Sequence, residues 1–277
     1  METVRGVVEL TRPMNAIVGG ILTLIGAYVA GGLGVHPTAA IAAGLATVLA
    51  AGAGNTINDY FDREIDAIND PERPIPRGAV TPRQALWCSV ILFCLAIVLA
   101  LTLPLMAIAI ATVDLLALVA YTKLFKGLPG VGNVVVAGLG GSTFLFGGAA
   151  VGSDTLAPVA LLGLLAGLTT LTREIIKDVE DIKGDREEGL HTLPIAVGVR
   201  PALVIGTVVM IGAVGVSPLL YLDGTFGAAY LLLVIPADCL LIGSALYSFR
   251  DPATAQLTTK LGMFLAAGAF VAGRVVG

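Results

Sequence analysis

Long apolar runs separated by short polar segments dominate the order of hydrophobic and polar positions in this chain. The runs lie near residues 14–33, 37–57, 84–102, 104–121, 133–152, 157–175, 202–222, 226–247 and 257–276. An apolar stretch of about 20 residues can cross the hydrocarbon core of a bilayer as a helix. A transmembrane barrel would instead show alternating segments of about ten residues. The pattern therefore predicts an all-α, polytopic membrane protein with nine transmembrane helices.

Basic residues are confined to every second connection between these runs. Of the 16 lysine and arginine residues, all except Arg274 lie near the N-terminus or after the second, fourth, sixth and eighth runs. Loops rich in lysine and arginine stay in the cytoplasm. We therefore expect a multi-pass protein of the cell membrane with a cytoplasmic N-terminus and, after an odd number of spans, a C-terminus outside.

The composition supports a membrane protein and argues against several classes of soluble enzyme. The 277 residues are 56% hydrophobic and 13% charged, whereas about 25% of the residues in a soluble domain are charged. The sequence contains no glycine-rich phosphate loop, no dinucleotide-binding fingerprint and no Ser-His-Asp arrangement. Residues 1–277 are predicted to form a single transmembrane domain.

Two clusters of aspartates with the same spacing interrupt the apolar pattern, each just after an even-numbered run. The first cluster contains Asp59, Asp62 and Asp66, and the second contains Asp178, Asp181 and Asp185. Positions i, i+3 and i+7 of a helix lie on one face. The constant offset of 119 residues between the clusters indicates an internal repeat, in which runs two and three match six and seven. Such a repeat would place both clusters across a central cavity that opens on the cytoplasmic side.

Carboxylates in this arrangement are typical of a site for a hard cation. They suit Mg²⁺ or Ca²⁺ rather than zinc, because no cysteine or histidine accompanies them. The twelve-residue calcium-binding loop with its central glycine is absent. Two facing clusters would hold metal ions around one diphosphate, and nearby basic residues would contact its remaining oxygens. These basic residues are Arg63, Lys123, Lys126, Arg173, Lys177 and Arg186.

Two further polar positions lie in the predicted helices near the clusters. Asn55 stands one turn before Asn58 and is predicted to line the same site. Asp114 lies inside the fourth run, seven residues before Tyr121 and on the same helix face. An acid within a membrane span is either functional or forms a polar contact to a neighbouring helix, and both interpretations are open for Asp114.

Four segments of the sequence resemble the UbiA superfamily of intramembrane prenyltransferases, and the resemblance covers nearly the whole chain. Residues 58–66, with the pattern NDxxDxxxD, resemble its first aspartate motif, and residues 178–185, with DxxDxxxD, resemble its second. Tyr121 with Lys126 is similar to the tyrosine-lysine segment after the fourth helix of the family. Residues 12–15 resemble the entry into its first helix. Nine helices is also the count in that family.

The resemblance implies Mg²⁺-dependent prenyl transfer inside the membrane. A prenyl diphosphate ionises with Mg²⁺, and a nucleophile on a second, lipid-soluble substrate captures the allylic cation. The implied metal ligands are Asn58, Asp62, Asp66, Asp178, Asp181 and Asp185, of which Asp62, Asp66, Asp181 and Asp185 are the predicted catalytic residues. The predicted substrate-binding residues are Arg12, Asn15, Asn55, Asn58, Arg63, Tyr121, Lys126, Arg173 and Lys177. No nucleic-acid or protein partner is implied.

The loops after the clusters bear on the second substrate. Residues 69–78 resemble two branches, the archaeal geranylgeranylglyceryl-phosphate geranylgeranyltransferases and the chlorophyll synthases. Residues 173–194 look more like the archaeal branch, which implies geranylgeranyl transfer to geranylgeranylglyceryl phosphate in membrane ether-lipid synthesis. The alternative acceptors are an aromatic quinone precursor and a tetrapyrrole. An ion-coupled transporter is the alternative from another class, but acids at the membrane edge favour the enzyme.

Overall fold

The computed structural model describes residues 2–121, 125, 127–152, 156–187 and 189–275, without the side chains of Asn69 and Val275. Within these ranges the regular secondary structure is helical, and no strand is present. The helices are α1 (Glu2–Leu10), α2 (Pro13–Val29), α3 (Pro37–Asn69), α4 (Pro82–Ala100), α5 (Leu105–Ala120), α6 (Val131–Ala150), α7 (Ala157–Glu180), α8 (Ile182–Glu187), α9 (Leu193–Val197), α10 (Val199–Val216), α11 (Leu219–Leu222), α12 (Ala228–Tyr247) and α13 (Pro252–Val275).

The predicted all-α membrane architecture is confirmed. Each predicted apolar run falls on a helix, and seven helices of the described chain are long and apolar enough to cross a membrane. Helices α1 and α2 meet at a bend of 44° and pass the same test as a pair, which brings the number to eight. Helix α5 is apolar but shorter, with 16 residues. The count of nine spans and the orientation in the membrane stay predictions.

Local sequence explains where several of the spanning helices begin. Pro13, Pro37 and Pro82 occupy the first turn of α2, α3 and α4, where a missing backbone N–H costs no hydrogen bond. Helix α4 also begins with a capping box, because the Thr81 side chain accepts from the Gln84 backbone while the Gln84 side chain accepts from the Thr81 backbone. These signals set the ends of the helices that carry the polar loops.

The two aspartate clusters differ in their relation to the helices. Helix α3 continues 12 residues past the predicted end of its apolar run, from residue 57 to Asn69, so the whole first cluster lies on it. Helix α7 ends at Glu180, and the chain bends at Asp181 before α8 begins. The prediction that one helix face carries all three aspartates is therefore wrong for the second cluster.

Helices α2, α6 and α7 form the centre of the bundle. Helix α2 packs against α3 and α6, α6 packs against α5 and α7, and α7 packs against α10 and α13. The most extensive contacts of the outer helices are between α3 and α4 and between α12 and α13. This order places α3 and α7 on opposite sides of α2 and α6, with the clusters at the same end of the bundle.

Glycines allow the central helices to approach backbone to backbone. On α6, a methyl group at Gly147 would overlap the carbonyl of Thr23 on α2, and Gly141 lies equally close to the carbonyl of Gly163 on α7. Association of helices in lipid relies on such close packing, because there is no hydrophobic force between them. The position of α6 between α2 and α7 therefore depends on small residues.

We expect the Gly147→Ala substitution to destabilise the bundle, because the added methyl group forces α2 and α6 apart. Overpacking of this kind costs about 1–3 kcal/mol, and each kcal/mol lowers the melting temperature by about 2–4 °C in a protein near this size. Gly138→Ala on the same helix is the matched control, since a methyl group added there would meet no atom of the described residues within 4 Å. Thermal unfolding in detergent measures both, and equal melting temperatures for the two variants would contradict the packing argument.

Candidate functional site

Arg12 and Arg73 form ion pairs with buried carboxylates of the first cluster. Arg73, in the loop between α3 and α4, donates to Asp66 at 2.8 Å and to Asp59 at 3.3 Å. Its Nε also lies 3.2 Å from an oxygen of Asp70. Arg12, at the start of α2, donates to Asp59 at 2.8 Å. Asp59 and Asp66 are buried, so these ion pairs offset the cost of removing their charges from water.

Arg12 and Arg73 pair with three carboxylates of this region, Asp59, Asp66 and Asp70, and the charge of Asp62 also acts on Asp66. Burial alone would lower the pKa of Arg73, but the charges of Asp59 and Asp66 raise it above its ordinary value. The guanidinium is therefore a permanent part of the cluster. Sequence reasoning missed Arg73 as a functional residue, since it lies in a loop with several other charged residues.

Two predicted substrate-binding residues hold the bend between α1 and α2. Arg12 has a φ of 47°, which among the described residues is the sole positive φ outside glycine. Its ion pair with Asp59 fixes this sparsely populated conformation. One residue earlier, the carbonyl of Thr11 accepts a 3.0 Å hydrogen bond from the amide of Asn55 on α3. Arg12 and Asn55 thus link the bend to the helix of the first cluster.

The second cluster is held by neutral donors and by one lysine. Asp178 on α7 accepts a hydrogen bond of 2.8 Å from Asn133 on α6. Asp185 on α8 accepts one of 3.1 Å from Thr192. Asp181 exposes half of its side chain and lies 3.6 Å from Lys177. Asp178 and Asp185 therefore face inward from two helices, while Asp181 lies at the surface.

Carboxylates of the two clusters face one space around Tyr121, which follows the end of α5. The charge of Asp62 acts on the Tyr121 phenol from the first cluster, and the charges of Asp178 and Asp185 act on it from the second. Tyr121 is only partly exposed. Carboxylates of both clusters therefore lie within electrostatic range of one residue, Tyr121, although α3 and α7 are not direct neighbours.

The remaining predicted basic residues lie at the edge of this space or outside the described residues. The Cζ atom of Arg63 lies 4.9 Å from the centre of the Tyr60 ring, a cation–π contact, and Arg63 also donates to the Tyr60 carbonyl. Lys177 pairs with Asp181, and Arg173 pairs with its neighbour Glu174. Lys126, together with Lys123, lies outside the residues that the structure describes.

Asp114 has a structural contact to a neighbouring helix. On α5, it accepts a hydrogen bond of 2.7 Å from Ser142 on α6. This contact confirms the interpretation of Asp114 as a polar packing group. Such a bond fixes the position of α5 against α6 inside the membrane, where an unpaired acid would be costly.

An apolar cavity of about 220 Å³ lies beside the clusters, between α2, α7, α10, α12 and α13. Its walls are mainly aliphatic and aromatic, with Phe144 and Phe270 among them. Asn15, three residues after Arg12, lines it from α2, and Arg173, five residues before Asp178, lines it from α7. The cavity therefore begins next to both aspartate clusters and extends into the membrane part of the bundle.

The carboxylates have suitable chemistry for Mg²⁺ but do not form a ready cage. In the part of the chain that the structure describes, no three acidic, histidine or cysteine side chains converge closely enough to hold a metal ion. The donor set that includes Asn58, Asp62 and Asp178 nevertheless consists entirely of hard oxygen ligands. Mg²⁺ commonly uses one or two protein carboxylates and completes its shell with water and substrate phosphates, so the donor set fits this ion.

Comparison with known proteins identifies the family to which this chain belongs. The family model described as the UbiA prenyltransferase family matches residues 20–268. The chain belongs to the UbiA prenyltransferase family. It is therefore a membrane prenyltransferase. The predicted family and enzyme class are confirmed.

Individual UbiA relatives match over nearly their full length. The chain is 60% identical over 275 residues to digeranylgeranylglyceryl phosphate synthase of Natronomonas pharaonis, which covers 99% of each sequence. A solved structure concerned with digeranylgeranylglyceryl phosphate synthase in membranes matches with a TM-score of 0.84 and 34% identity, covering 99% of both chains. A UbiA homologue from Archaeoglobus fulgidus bound to GPP and Mg²⁺ has a TM-score of 0.72 and 18% identity, covering 98% of this chain and 100% of the other. The last likeness shows the fold alone.

Proposed function

We propose that this UbiA protein transfers a geranylgeranyl group from geranylgeranyl diphosphate to geranylgeranylglyceryl phosphate, forming the archaeal ether-lipid precursor digeranylgeranylglyceryl phosphate. The observation that carries the proposal is the 60% identity, over 99% of both sequences, to a relative named for this product. The site agrees with it, because carboxylates of both clusters lie within electrostatic range of Tyr121 and the bundle contains an apolar cavity that suits an isoprenoid chain. The acceptors from the alternative classes have no comparable support.

The carboxylates are proposed to bind the diphosphate through Mg²⁺. Asn58, Asp62, Asp66, Asp178, Asp181 and Asp185 would hold the ion, which supplies Lewis-acid and electrostatic stabilisation of the departing diphosphate. Support comes from the hard-oxygen donor set and from the A. fulgidus homologue, whose structure contains GPP and Mg²⁺. Arg12 and Arg73 hold the carboxylates of the first cluster in place.

Prenyl transfer requires an acceptor oxygen and a dry environment. The free hydroxyl oxygen of the acceptor forms a bond to C1 of the geranylgeranyl group, the C1–O bond to diphosphate breaks, and the hydroxyl proton is released. The apolar wall of the cavity keeps water away from the allylic cation. Lys126, Arg63 and Lys177 are proposed to neutralise the diphosphate. Tyr121 and Asn15 are proposed to line the space between donor and acceptor, and Arg173 is proposed to bind substrate from the wall of the cavity.

Both clusters are proposed to face the cytoplasm. Two contacts between these connections support the proposal, since Gln256 of α13 donates to Glu180 of α7 at 3.0 Å and Arg12 contacts Asp59 of α3. The positive-inside rule then places the N-terminus and the active-site loops in the cytoplasm and the C-terminus outside. Both substrates would enter from the inner leaflet.

The direct test uses purified protein, labelled geranylgeranyl diphosphate, Mg²⁺ and a panel of acceptors. We expect label in digeranylgeranylglyceryl phosphate and in no aromatic or tetrapyrrole product. Preferential transfer to an aromatic or tetrapyrrole acceptor would overturn the acceptor assignment. Absence of all transfer, with ion flux in reconstituted vesicles, would favour the transporter instead.

We expect the Arg73→Lys substitution to lower kcat about 10–100-fold, the usual cost of losing a group that orients metal-binding residues. Lysine keeps one charge but cannot contact Asp59, Asp66 and Asp70 together, as the planar guanidinium does. Arg83→Lys is the control, because Arg83 is an exposed residue at the start of α4. The transfer assay measures both variants, and an unchanged kcat for Arg73→Lys would mean that the arginine only stabilises the fold.

A further inference from the structure

Two basic side chains line the apolar cavity at the end nearest the aspartate clusters. Arg173 reaches it from α7 and Lys260 from α13. Asn15 of α2 and Thr169 of α7 add polar groups to the lining on the same side. Asp238 of α12 also lines the cavity, and its carboxylate accepts a 2.6 Å hydrogen bond from Ser217. The rest of the wall is mainly apolar and includes Met263 and Phe264, which follow Lys260 by about one turn. The cavity is thus shaped for an amphipathic molecule with an anionic head and a hydrocarbon tail.

The two basic residues differ in how much of their charge is already compensated. Arg173 forms an ion pair with Glu174, and both side chains are mostly buried. Lys260 forms no ion pair with any residue that the structure describes, and its side chain is exposed. An anion that enters the cavity therefore meets one uncompensated ammonium group beside a guanidinium that already has a carboxylate partner.

The location of Lys260 separates it from the aspartate clusters. It lies on α13, whereas the clusters lie on α3, α7 and α8. Charges from both clusters act on Tyr121 at the end of α5, on the other side of α6 from α13. A diphosphate held at the clusters and a second anion held at Lys260 would therefore occupy different places, with the start of the cavity between them.

We propose that Lys260, with Arg173 beside it, binds the phosphate of the acceptor lipid while the isoprenoid chain of that lipid fills the cavity. This inference rests on the proposed function and names the side chains that select a phosphorylated acceptor. A phosphate monoester carries about 1.5 to 2 negative charges near pH 7, and its oxygens can accept charge-assisted hydrogen bonds from the ammonium of Lys260 and the guanidinium of Arg173. Head-group binding at this point directs the neighbouring glycerol hydroxyl toward the clusters.

Equilibrium binding without donor substrate tests the inference. The probes are radiolabelled geranylgeranylglyceryl phosphate and its unphosphorylated analogue, geranylgeranylglycerol, with protein in detergent. We expect the wild type to bind the phosphorylated lipid at least about tenfold more tightly, the effect of one charge-assisted contact. Lys260→Met should remove most of this preference and leave binding of the alcohol unchanged, while Lys260→Arg should keep it. Arg250→Met, an exposed basic residue before α13, is the control that should keep it too.

Steady-state kinetics gives the second readout. Lys260→Met should raise KM for the acceptor about tenfold or more, with KM for geranylgeranyl diphosphate unchanged. A preserved phosphate preference in Lys260→Met, or a rise confined to KM for the diphosphate, would overturn the inference. Wild-type transfer to the acceptor without any phosphate preference would overturn it as well but leave the proposed function intact. Phosphate-selective binding without transfer would instead refute the proposed function alone.

Discussion

The Asp62→Ala variant should lose prenyl transfer almost completely, with kcat reduced at least about 10²–10³-fold, the cost of removing one electrostatic group from an active site. Asp62 is the first-cluster carboxylate whose charge acts on Tyr121, together with those of Asp178 and Asp185. It also lies within the electrostatic range of Asp59 and Asp66. Its removal would take away a proposed oxygen ligand of Mg²⁺ near Tyr121. The transfer assay with saturating substrates measures the effect.

A matched variant on the same helix separates this effect from a general loss of charge. Glu64 lies two residues later on α3, and its side chain is 84% exposed and pairs only weakly with Arg63, at 3.2 Å. Glu64→Ala should therefore retain wild-type turnover. The melting temperature of Asp62→Ala should stay near that of the wild type or rise, because one of several like charges is gone. Turnover within about threefold of wild type in Asp62→Ala would refute its place at the reaction centre.

The helices could be predicted because a bilayer imposes a simple length rule. Each apolar run has to form a helix to satisfy its own backbone in lipid, so the runs and the observed helices coincide. The ends of the helices at the membrane surface obey no such rule. Helix α3 runs on through polar residues to Asn69, whereas α7 ends at Glu180, just before Asp181. The matched spacing of the aspartates therefore gave the right residues to examine but a wrong geometry for the second cluster.

The contacts inside the site could be predicted only in part. The motif spacing and the family resemblance placed the aspartates on one side of the membrane. They did not reveal that Arg73 joins Asp59 to Asp66, because a loop arginine can pair with any of several nearby acids. The place of Lys260 in the cavity wall could not be predicted either, since the other lining residues come from helices far away in sequence. The internal repeat stays a prediction.

The structure also changes the expected roles of individual residues. The sequence predicts that Asn55 lines the site, yet its amide holds the Thr11 carbonyl at the bend before α2. It also predicts a catalytic Asp181, yet that side chain is half exposed and adjoins Lys177. The roles of Asn55 and Asp181 in the site stay predictions. The contacts observed for these two residues favour a role in the site less than the positions of Asp62 and Asp178 do. Arg12, in contrast, has a clear positioning role, because its ion pair with Asp59 and its backbone conformation connect the start of α2 to the first cluster.

Removal of divalent metal should stop turnover altogether, and added Mg²⁺ should restore it. In the first cluster Arg12 and Arg73 pair with Asp59, Asp66 and Asp70, and in the second Asp178 and Asp185 accept hydrogen bonds from Asn133 and Thr192. Carboxylates repel a diphosphate unless cations bridge the two, which is the role proposed for Mg²⁺. We expect the rate in EDTA to fall to background and to recover in full when Mg²⁺ is added in excess over the chelator.

A measurement independent of turnover keeps this prediction specific to the site. A ligand that binds only the folded state stabilises it by about 2.7 kcal/mol at 100 times its Kd, so Mg²⁺ with a non-reactive diphosphate analogue should raise the melting temperature. The rise should vanish in Asp62→Ala and persist in Glu64→Ala, because of these two residues Asp62 alone acts on the space around Tyr121. Undiminished transfer in EDTA would show that the arginines and lysines alone neutralise the diphosphate, and the carboxylates would then need another role.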